Sequence, residues 1–370
     1  MENPLTDLTG QPLVTGTSSE PALSKESAVH APRDWQAFAK GKLDSLTKPL
    51  GSLGRLEEIA ARIVSIRELE SPGCANKAVY VFAADHGVTE EGVSAYPKAV
   101  TQQMVRNFLA NGAAINVFAR CAGAEVIVVD VGVDADIDSH PNLVNKKIRR
   151  GTRNMAMGPA MTESEASAAV AVGRTLAQQA RLLNRDLIAV GEMGIGNTTA
   201  AAATAAALSG KPVVDVTGSG TGVSPEALIH KRQVIERALS VNGLDKNPSP
   251  HDVLQKVGGL EIAAMTGTLL EAQEQRVPVV IDGFISTAAA ALAYAIEPKV
   301  KNILFAGHLS EEPGHRVLLD YIGLEPILNL GMRLGEGTGA VLSMMVIEAA
   351  IRMLNEMATF SSAGVSGGPL

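Results

Sequence analysis

The sequence predicts an α/β fold: a doubly wound, mostly parallel, Rossmann-like sheet of about six strands, with a small helical domain drawn from both ends of the chain. Two observations carry this prediction. Short apolar runs of strand length recur at residues 78–84, 126–131, 187–190, 212–216, 277–281 and 303–306, and nearly all lead through a loop into a helix-like stretch. Continuous apolar runs alternating with helices indicate a parallel sheet covered on both faces. The second observation is composition. A hydrophobic fraction of 46% and 36 glycines suit a large core with many tight strand-to-helix turns, and exclude disorder along the whole chain. Aromatic residues make up only 3%, so the core must be built from Ala, Val, Leu, Ile and Met.

Along the 370 residues the elements divide as follows. Residues 1–33 are rich in Ser, Thr, Pro and Glu without periodicity, and read as a flexible extension. From Trp35 the pattern becomes helical, with Trp35, Phe38, Leu43 and Leu46 near helical spacing. After a break at Lys48-Pro49-Leu50-Gly51, a second amphipathic helix carries Leu56, Ile59, Ala60 and Ile63 on one face. Residues 34–68 together with 340–360 are expected to form the small helical domain, and residues 69–339 the large catalytic one. The stretch 340–357 is apolar almost all round, which predicts a helix buried against the early helices or against a second subunit. Residues 361–370 read as a flexible tail.

Composition also excludes functions. A net charge of −7 argues against a nucleic-acid partner and against docking on anionic membranes. Two cysteines, Cys74 and Cys121, offer no disulfide framework or metal spacing and read as small buried residues. The N-terminus lacks the basic start and apolar stretch of a secretory signal. Apolar segments such as 200–208 and 288–296 are about half as long as a membrane span. A cytoplasmic location is the expectation.

Ligands in parallel α/β sheets bind at the carboxyl ends of the strands, so the loops that follow them are the candidate site. The first, Asp85-His86-Gly87-Val88, runs through Glu90, Glu91 and Tyr96-Pro97 towards a helix at 100–110, and could form one wall of a cleft. No third ligand stands near Asp85 and His86 at metal spacing. Gly191-Glu192-Met193-Gly194-Ile195-Gly196-Asn197-Thr198-Thr199 opens onto an Ala-rich helix, whose N-terminus suits a phosphate or ribose; an ordinary strand–helix turn is the alternative. Thr217-Gly218-Ser219-Gly220-Thr221-Gly222-Val223-Ser224-Pro225 has an N-cap Ser and a Pro at the first helical position. Its G-x-G-x-G spacing is neither a dinucleotide fingerprint nor a P-loop, but it resembles an anion-binding turn to which Lys231 could add charge. Asp282-Gly283-Phe284 and the stretch Gly307-His308-Leu309-Ser310 to His315 follow the last two expected strands. In Leu334-Gly335-Glu336-Gly337-Thr338-Gly339, Glu336 lies among glycines and apolar residues. Desolvation there would raise its pKa and suit a general base, while a Glu favoured by the helix dipole is the alternative.

These segments, in order from residue 47 to 339, resemble the nicotinate-nucleotide–dimethylbenzimidazole phosphoribosyltransferase family. The matching stretches are Thr47-Lys48-Pro49-Leu50-Gly51-Ser52-Leu53-Gly54-Arg55-Leu56-Glu57, Ala84-Asp85-His86-Gly87-Val88, the 191–199 loop, Gly218-Ser219-Gly220-Thr221-Gly222, Asp282-Gly283-Phe284, residues 310–315 and residues 334–339. No single stretch is decisive; the ordered set is specific. The extension before about residue 34 lies outside the pattern, and the side chains of Ala95-Tyr96-Pro97-Lys98 are not matched, which leaves the preferred base open.

The resemblance implies transfer of the phosphoribosyl group of nicotinate mononucleotide to 5,6-dimethylbenzimidazole, giving α-ribazole 5′-phosphate and nicotinate for the lower ligand of cobalamin. It implies a homodimer, no metal and no cofactor. It assigns the general base to Glu336 and the nucleotide to Glu192, Gly194, Gly196, Asn197, Thr198, Gly218, Gly220, Gly222, Lys231 and Ser310. Asp85, Pro97, Gln103 and Leu334 fall on the side of the acceptor base. A nucleotide-dependent oxidoreductase on the same fold would need a strict glycine fingerprint and an acidic ribose ligand about 20 residues on, and the sequence has neither. A non-catalytic nucleotide-binding regulator would keep the phosphate loops without requiring a carboxylate at position 336.

Overall fold

The computed structural model describes residues 33–220, 222–244 and 247–366. The chain begins with α1 (Trp35–Asp44) and α2 (Arg55–Arg67), and enters the sheet at β1 (Lys77–Ala84). There follow α3 (Val100–Leu109), α4 (Ala114–Ala122), β2 (Ala124–Gly132), β3 (Leu143–Asn145), α5 (Glu163–Leu182) and β4 (Leu187–Met193). Four helices come next, α6 (Asn197–Ser209), α7 (Val213–Val216), α8 (Pro225–Val241) and α9 (Pro250–Val257), then α10 (Leu260–Glu274). The last third runs β5 (Val279–Ile281), α11 (Phe284–Ile296), β6 (Leu304–Ser310), α12 (Pro313–Ile322), β7 (Pro326–Met332), α13 (Thr338–Glu356) and α14 (Phe360–Ala363).

All seven strands are parallel, in the order β3-β2-β1-β4-β5-β6-β7. Strand order therefore reverses between β1 and β4. Every residue of β1 and β5 is buried, which explains their unbroken apolar sequence. One group of helices, α10 and α11 with α5, α6 and α12 packed onto them, covers part of the sheet; α13 and α4 form a second group. α13 packs on β4, β5, β6 and β7 and also on α2, which in turn packs on α1. By length and composition α13 could cross a membrane, but more than half of it is buried against these elements as a core helix.

Five of the six expected strands are present; residues 212–216 are not a strand. That Val-rich run is the single-turn helix α7, started by Pro212 and closed by the Thr217 hydroxyl donating to the Val213 carbonyl at 2.7 Å. β4 pairs directly with β5, so no gap in the sheet remains for such a strand. Two strands are additional. β3 is only three residues long, and β7 is a partly exposed edge strand beginning at a proline, where a missing amide is tolerated. Of the expected N-terminal extension, residues 1–32 lie outside the described residues, while Arg33 stacks on Phe38 at 3.9 Å and pairs with Glu70. The expected tail is helical at Ser361, Ser362 and Ala363 within α14, and residues 367–370 lie outside the described residues. Cys74 is buried, but Cys121 is exposed.

Candidate active site

The carboxyl ends of β4, β5 and β6, the loop after β7 and one face of α3 enclose a cavity of about 640 Å³. It opens beside the reversal of strand order, where open parallel sheets bind ligands.

At one end stands Glu336. The chain leaves β7, turns over β4 and enters α13 through three successive left-handed residues: Gly335 (φ 87°), Glu336 (φ 65°) and Gly337 (φ 90°). Such a backbone is cheap for glycine and strained for glutamate, so the surroundings must impose it. They do. A Cβ on Gly191 would stand 2.5 Å from the carbonyl of Glu336, so the turn lies directly on β4. Asp282, after β5, accepts from the amides of Gly337 at 3.1 Å and Ala340 at 2.8 Å, capping α13. The Glu336 carboxylate is thereby held in the cavity wall, 6% exposed, with one oxygen lacking a partner among the described residues. Burial pushes its pKa to about 7; the Ile115 amide opposes the rise and the Asp282 charge adds to it. A carboxyl so tuned can take and return a proton near neutrality.

Glu192, at the end of β4, lines the same cavity. It bonds to the Asn197 amide group and accepts from the Glu336 backbone amide. Burial, with Glu261, Asp282 and Glu336 nearby, drives its pKa well above the usual carboxylate range. Asp282 is also raised by burial, with the neighbouring His308 ring and its backbone donors pulling it back.

The other end of the cavity is lined by Thr198, Gly220, Ser310, Glu312 and Arg333, and Lys231 lies behind Thr198, outside the lining. Lys231, in α8, is 1% exposed; its Nζ donates to Thr198 Oγ1 at 2.9 Å and to the Gly218 carbonyl at 3.3 Å. Burial lowers its pKa to about 8, against the pull of Glu312. Because α7 is helical, the 217–224 loop joins two helices instead of following a strand; Thr221 within it lies outside the described residues. The loop still reaches the cavity. The Gly220 amide donates to Glu312 Oε1 at 2.9 Å, and Arg333 Nη1 donates to the Gly220 carbonyl at 2.9 Å. Ser224 and Pro225 cap and start α8 as the sequence indicates. Ser310, from β6, lines the cavity beside Glu312.

Of the expected residues, Glu192, Gly194, Asn197, Thr198, Gly220, Ser310, Leu334 and Glu336 line this one cavity. Gly196 caps α6 behind the lining, Gly218 packs against Glu312 and Pro313, and Gly222 turns the loop at φ 96°. On the acceptor side, Asp85 is occupied behind the wall, where its carboxylate accepts from the Asp134 amide at 2.7 Å. Pro97 and Gln103 are exposed and do not line the cavity. That wall consists of Tyr96, Val100 and Met104; positions 100 and 104 share a helix face, while Gln103 stays exposed outside the lining. Leu334 is 56% exposed, so in the single chain it does not exclude water. Sequence reasoning missed Arg333, Glu312 and His308. The apolar i, i+4 spacing of Val100 and Met104 was a usable signal; the role of Glu312, which depends on a loop from a distant helix pair, had none.

Comparison with known proteins bears on this arrangement. A family model described as phosphoribosyltransferase matches residues 29–365. The nicotinate-nucleotide–dimethylbenzimidazole phosphoribosyltransferase of Geotalea uraniireducens is 58% identical over 332 residues, 90% of this chain and 94% of that relative. This chain belongs to the nicotinate-nucleotide–dimethylbenzimidazole phosphoribosyltransferase family. The family relative from Geobacter sulfurreducens is 55% identical over 94% of this chain and 98% of its own. The crystal structure of CobT from Thermus thermophilus, 51% identical, superposes with a TM-score of 0.87 over 91% of this chain and 100% of that one.

Proposed function

We propose that this protein transfers the phosphoribosyl group of nicotinate mononucleotide to 5,6-dimethylbenzimidazole, releasing nicotinate and α-ribazole 5′-phosphate. The observation that carries the reading is the Glu336 carboxyl, buried with a pKa of about 7, in the same cavity as the Lys231-backed pole. The nucleotide phosphate takes its charge partners from Lys231 and Arg333, with Thr198, Ser310 and the Gly220 turn around it. The acceptor ring lies against Val100, Met104 and Leu334, at the Glu336 end.

The reaction is a direct displacement. The unprotonated benzimidazole nitrogen supplies its lone pair to ribose C1′. The bond from C1′ to the nicotinate nitrogen breaks, and its electron pair neutralises the positively charged ring, so no acid is needed for the leaving group. The benzimidazole carries the positive charge at the transition state, its other N–H becomes acidic, and Glu336 takes that proton. Burial and the neighbouring carboxylates favour the protonated form of Glu192, which supports Glu336 as the base of the pair.

We further propose a cytoplasmic homodimer without metal or cofactor, in which residues 34–68 with 340–360 act as a small helical domain. Exposed Leu50, Leu53, Leu330 and Leu334 support an apolar contact between subunits. α13 spends most of its apolar surface inside its own chain. The test of the activity is acceptor dependence. Nicotinate release from the nucleotide should require a benzimidazole and match riboside formation one for one. Release that ignores the base would indicate hydrolysis instead.

A further inference from the structure

We propose that His308 is a substrate-contacting residue, whose imidazole holds a ribose hydroxyl of the nucleotide on the cavity floor between the phosphate and acceptor ends. The inference rests on the functional reading above and adds a residue to it.

β6 delivers two polar side chains to its carboxyl end, His308 and Ser310. The His308 ring lines the cavity, is 1% exposed, and has no hydrogen-bond partner on either nitrogen among the described residues. Buried polar groups are ordinarily paired, and one that faces a binding cavity unpaired is poised for a ligand. The neighbouring histidine provides the contrast. His315, with its ring centre 6.1 Å from that of His308, accepts from the Ser310 amide through Nδ1 at 2.9 Å and donates from Nε2 to Thr287 Oγ1 at 2.9 Å. It is scaffold, and burial holds it neutral with a pKa of about 3.

His308 cannot turn elsewhere for a partner. A Cβ on Gly339 would lie 2.0 Å from its Cδ2, and one on Gly283 would lie 3.2 Å from its Nε2, so two backbones pin the ring. The carboxylate oxygen facing it, Asp282 Oδ1 at 3.8 Å, is beyond hydrogen-bond reach and already accepts from Ala340. Its position limits what it can meet. Glu336 lies over β4 and the Gly220–Glu312 contact lies beyond β6, so Asp282, Gly283 and His308 form the floor between them. A nucleotide spanning these ends presents its sugar there. A hydroxyl both donates and accepts, and so suits either tautomer of an imidazole.

The test compares nicotinate mononucleotide with its 2′-deoxy and 3′-deoxy analogues in the parent enzyme and in His308→Ala, His308→Asn and His308→Gln, with 5,6-dimethylbenzimidazole as acceptor. The parent should lose about 10-fold in kcat/KM with one deoxy analogue, the usual weight of a hydrogen bond. His308→Ala should lose a similar factor with the ribonucleotide and no longer distinguish it from that analogue, while KM for the benzimidazole stays within about 2-fold. Either His308→Asn, whose amide sits near Nδ1, or His308→Gln, which reaches Nε2, should restore part of the loss. His308→Ala that discriminates against the deoxy analogues as the parent does overturns the inference and leaves the functional reading intact. Should the Ala variant fail to fold, the same comparison on the Asn and Gln variants decides: discrimination unchanged in both is equally fatal. A parent enzyme that turns over no nucleotide with any benzimidazole overturns the functional reading and this inference with it.

Discussion

Glu336→Gln keeps the shape of the side chain but removes its ability to take a proton, and its effects on activity and stability should have opposite signs. A positioned general base contributes about 10²- to 10⁴-fold, so kcat should fall by that factor. KM for both substrates should change little, because the lost interaction belongs to the transition state. In the parent, kcat/KM should rise with pH through an apparent pKa near 7, and that limb should vanish in the variant. Stability follows from the same burial. A carboxyl whose folded pKa is raised holds its proton more tightly in the folded state. Its contribution is therefore complete below about pH 4.5 and is lost as pH rises through about 7. The displacement from 4.5 to about 7 corresponds to about 3 kcal/mol. Urea unfolding should thus show the variant gaining on the parent by up to about 3 kcal/mol between pH 5 and pH 8. Turnover within a few-fold of the parent would refute the reasoning, and Glu192 would become the better candidate; an unfolding difference independent of pH would refute the account of Glu336 burial.

Other expectations follow from the same geometry. Lys231→Ala should raise KM for nicotinate mononucleotide at least about 10-fold while leaving that for the benzimidazole nearly unchanged, since charge-assisted bonds to phosphate are stronger than neutral ones. In the parent, nucleotide affinity measured by calorimetry should weaken above about pH 8 as Lys231 loses its charge. Asp282→Ala removes the acceptor of the Gly337 and Ala340 amides; it should cost about 1–2 kcal/mol in urea unfolding and slow turnover by loosening the Glu336 turn. Light scattering at micromolar concentration should give the mass of a dimer, and a monomer would count against the proposed assembly.

The sheet was legible wherever burial on both faces made a strand continuously apolar, as in β1 and β4. It was not legible at its edge. β7 is only partly buried, with Asn329, Leu330 and Gly331 exposed, and β3 is too short to leave a pattern. Residues 212–216 misled because a β-branched run of strand length also fits one helical turn when a proline starts it and a threonine closes it. In the site, the sequence showed Glu336 among glycines and apolar residues; that its backbone lies directly against β4 came only with the structure. The sequence did not reveal that Glu336 itself adopts a left-handed conformation, because Gly191 on β4 and Asp282 after β5, which impose it, are far away in the chain. His308 was passed over because whether a histidine is paired depends on neighbours far away in the chain.

The most direct test of the account is the anomeric form of the product. Nicotinate mononucleotide is a β-nucleotide, and direct displacement at C1′ inverts it. With the parent enzyme and 5,6-dimethylbenzimidazole, proton NMR should show one α-riboside phosphate formed for each nicotinate released. A β-riboside, or free ribose 5-phosphate in place of a riboside, would contradict the account.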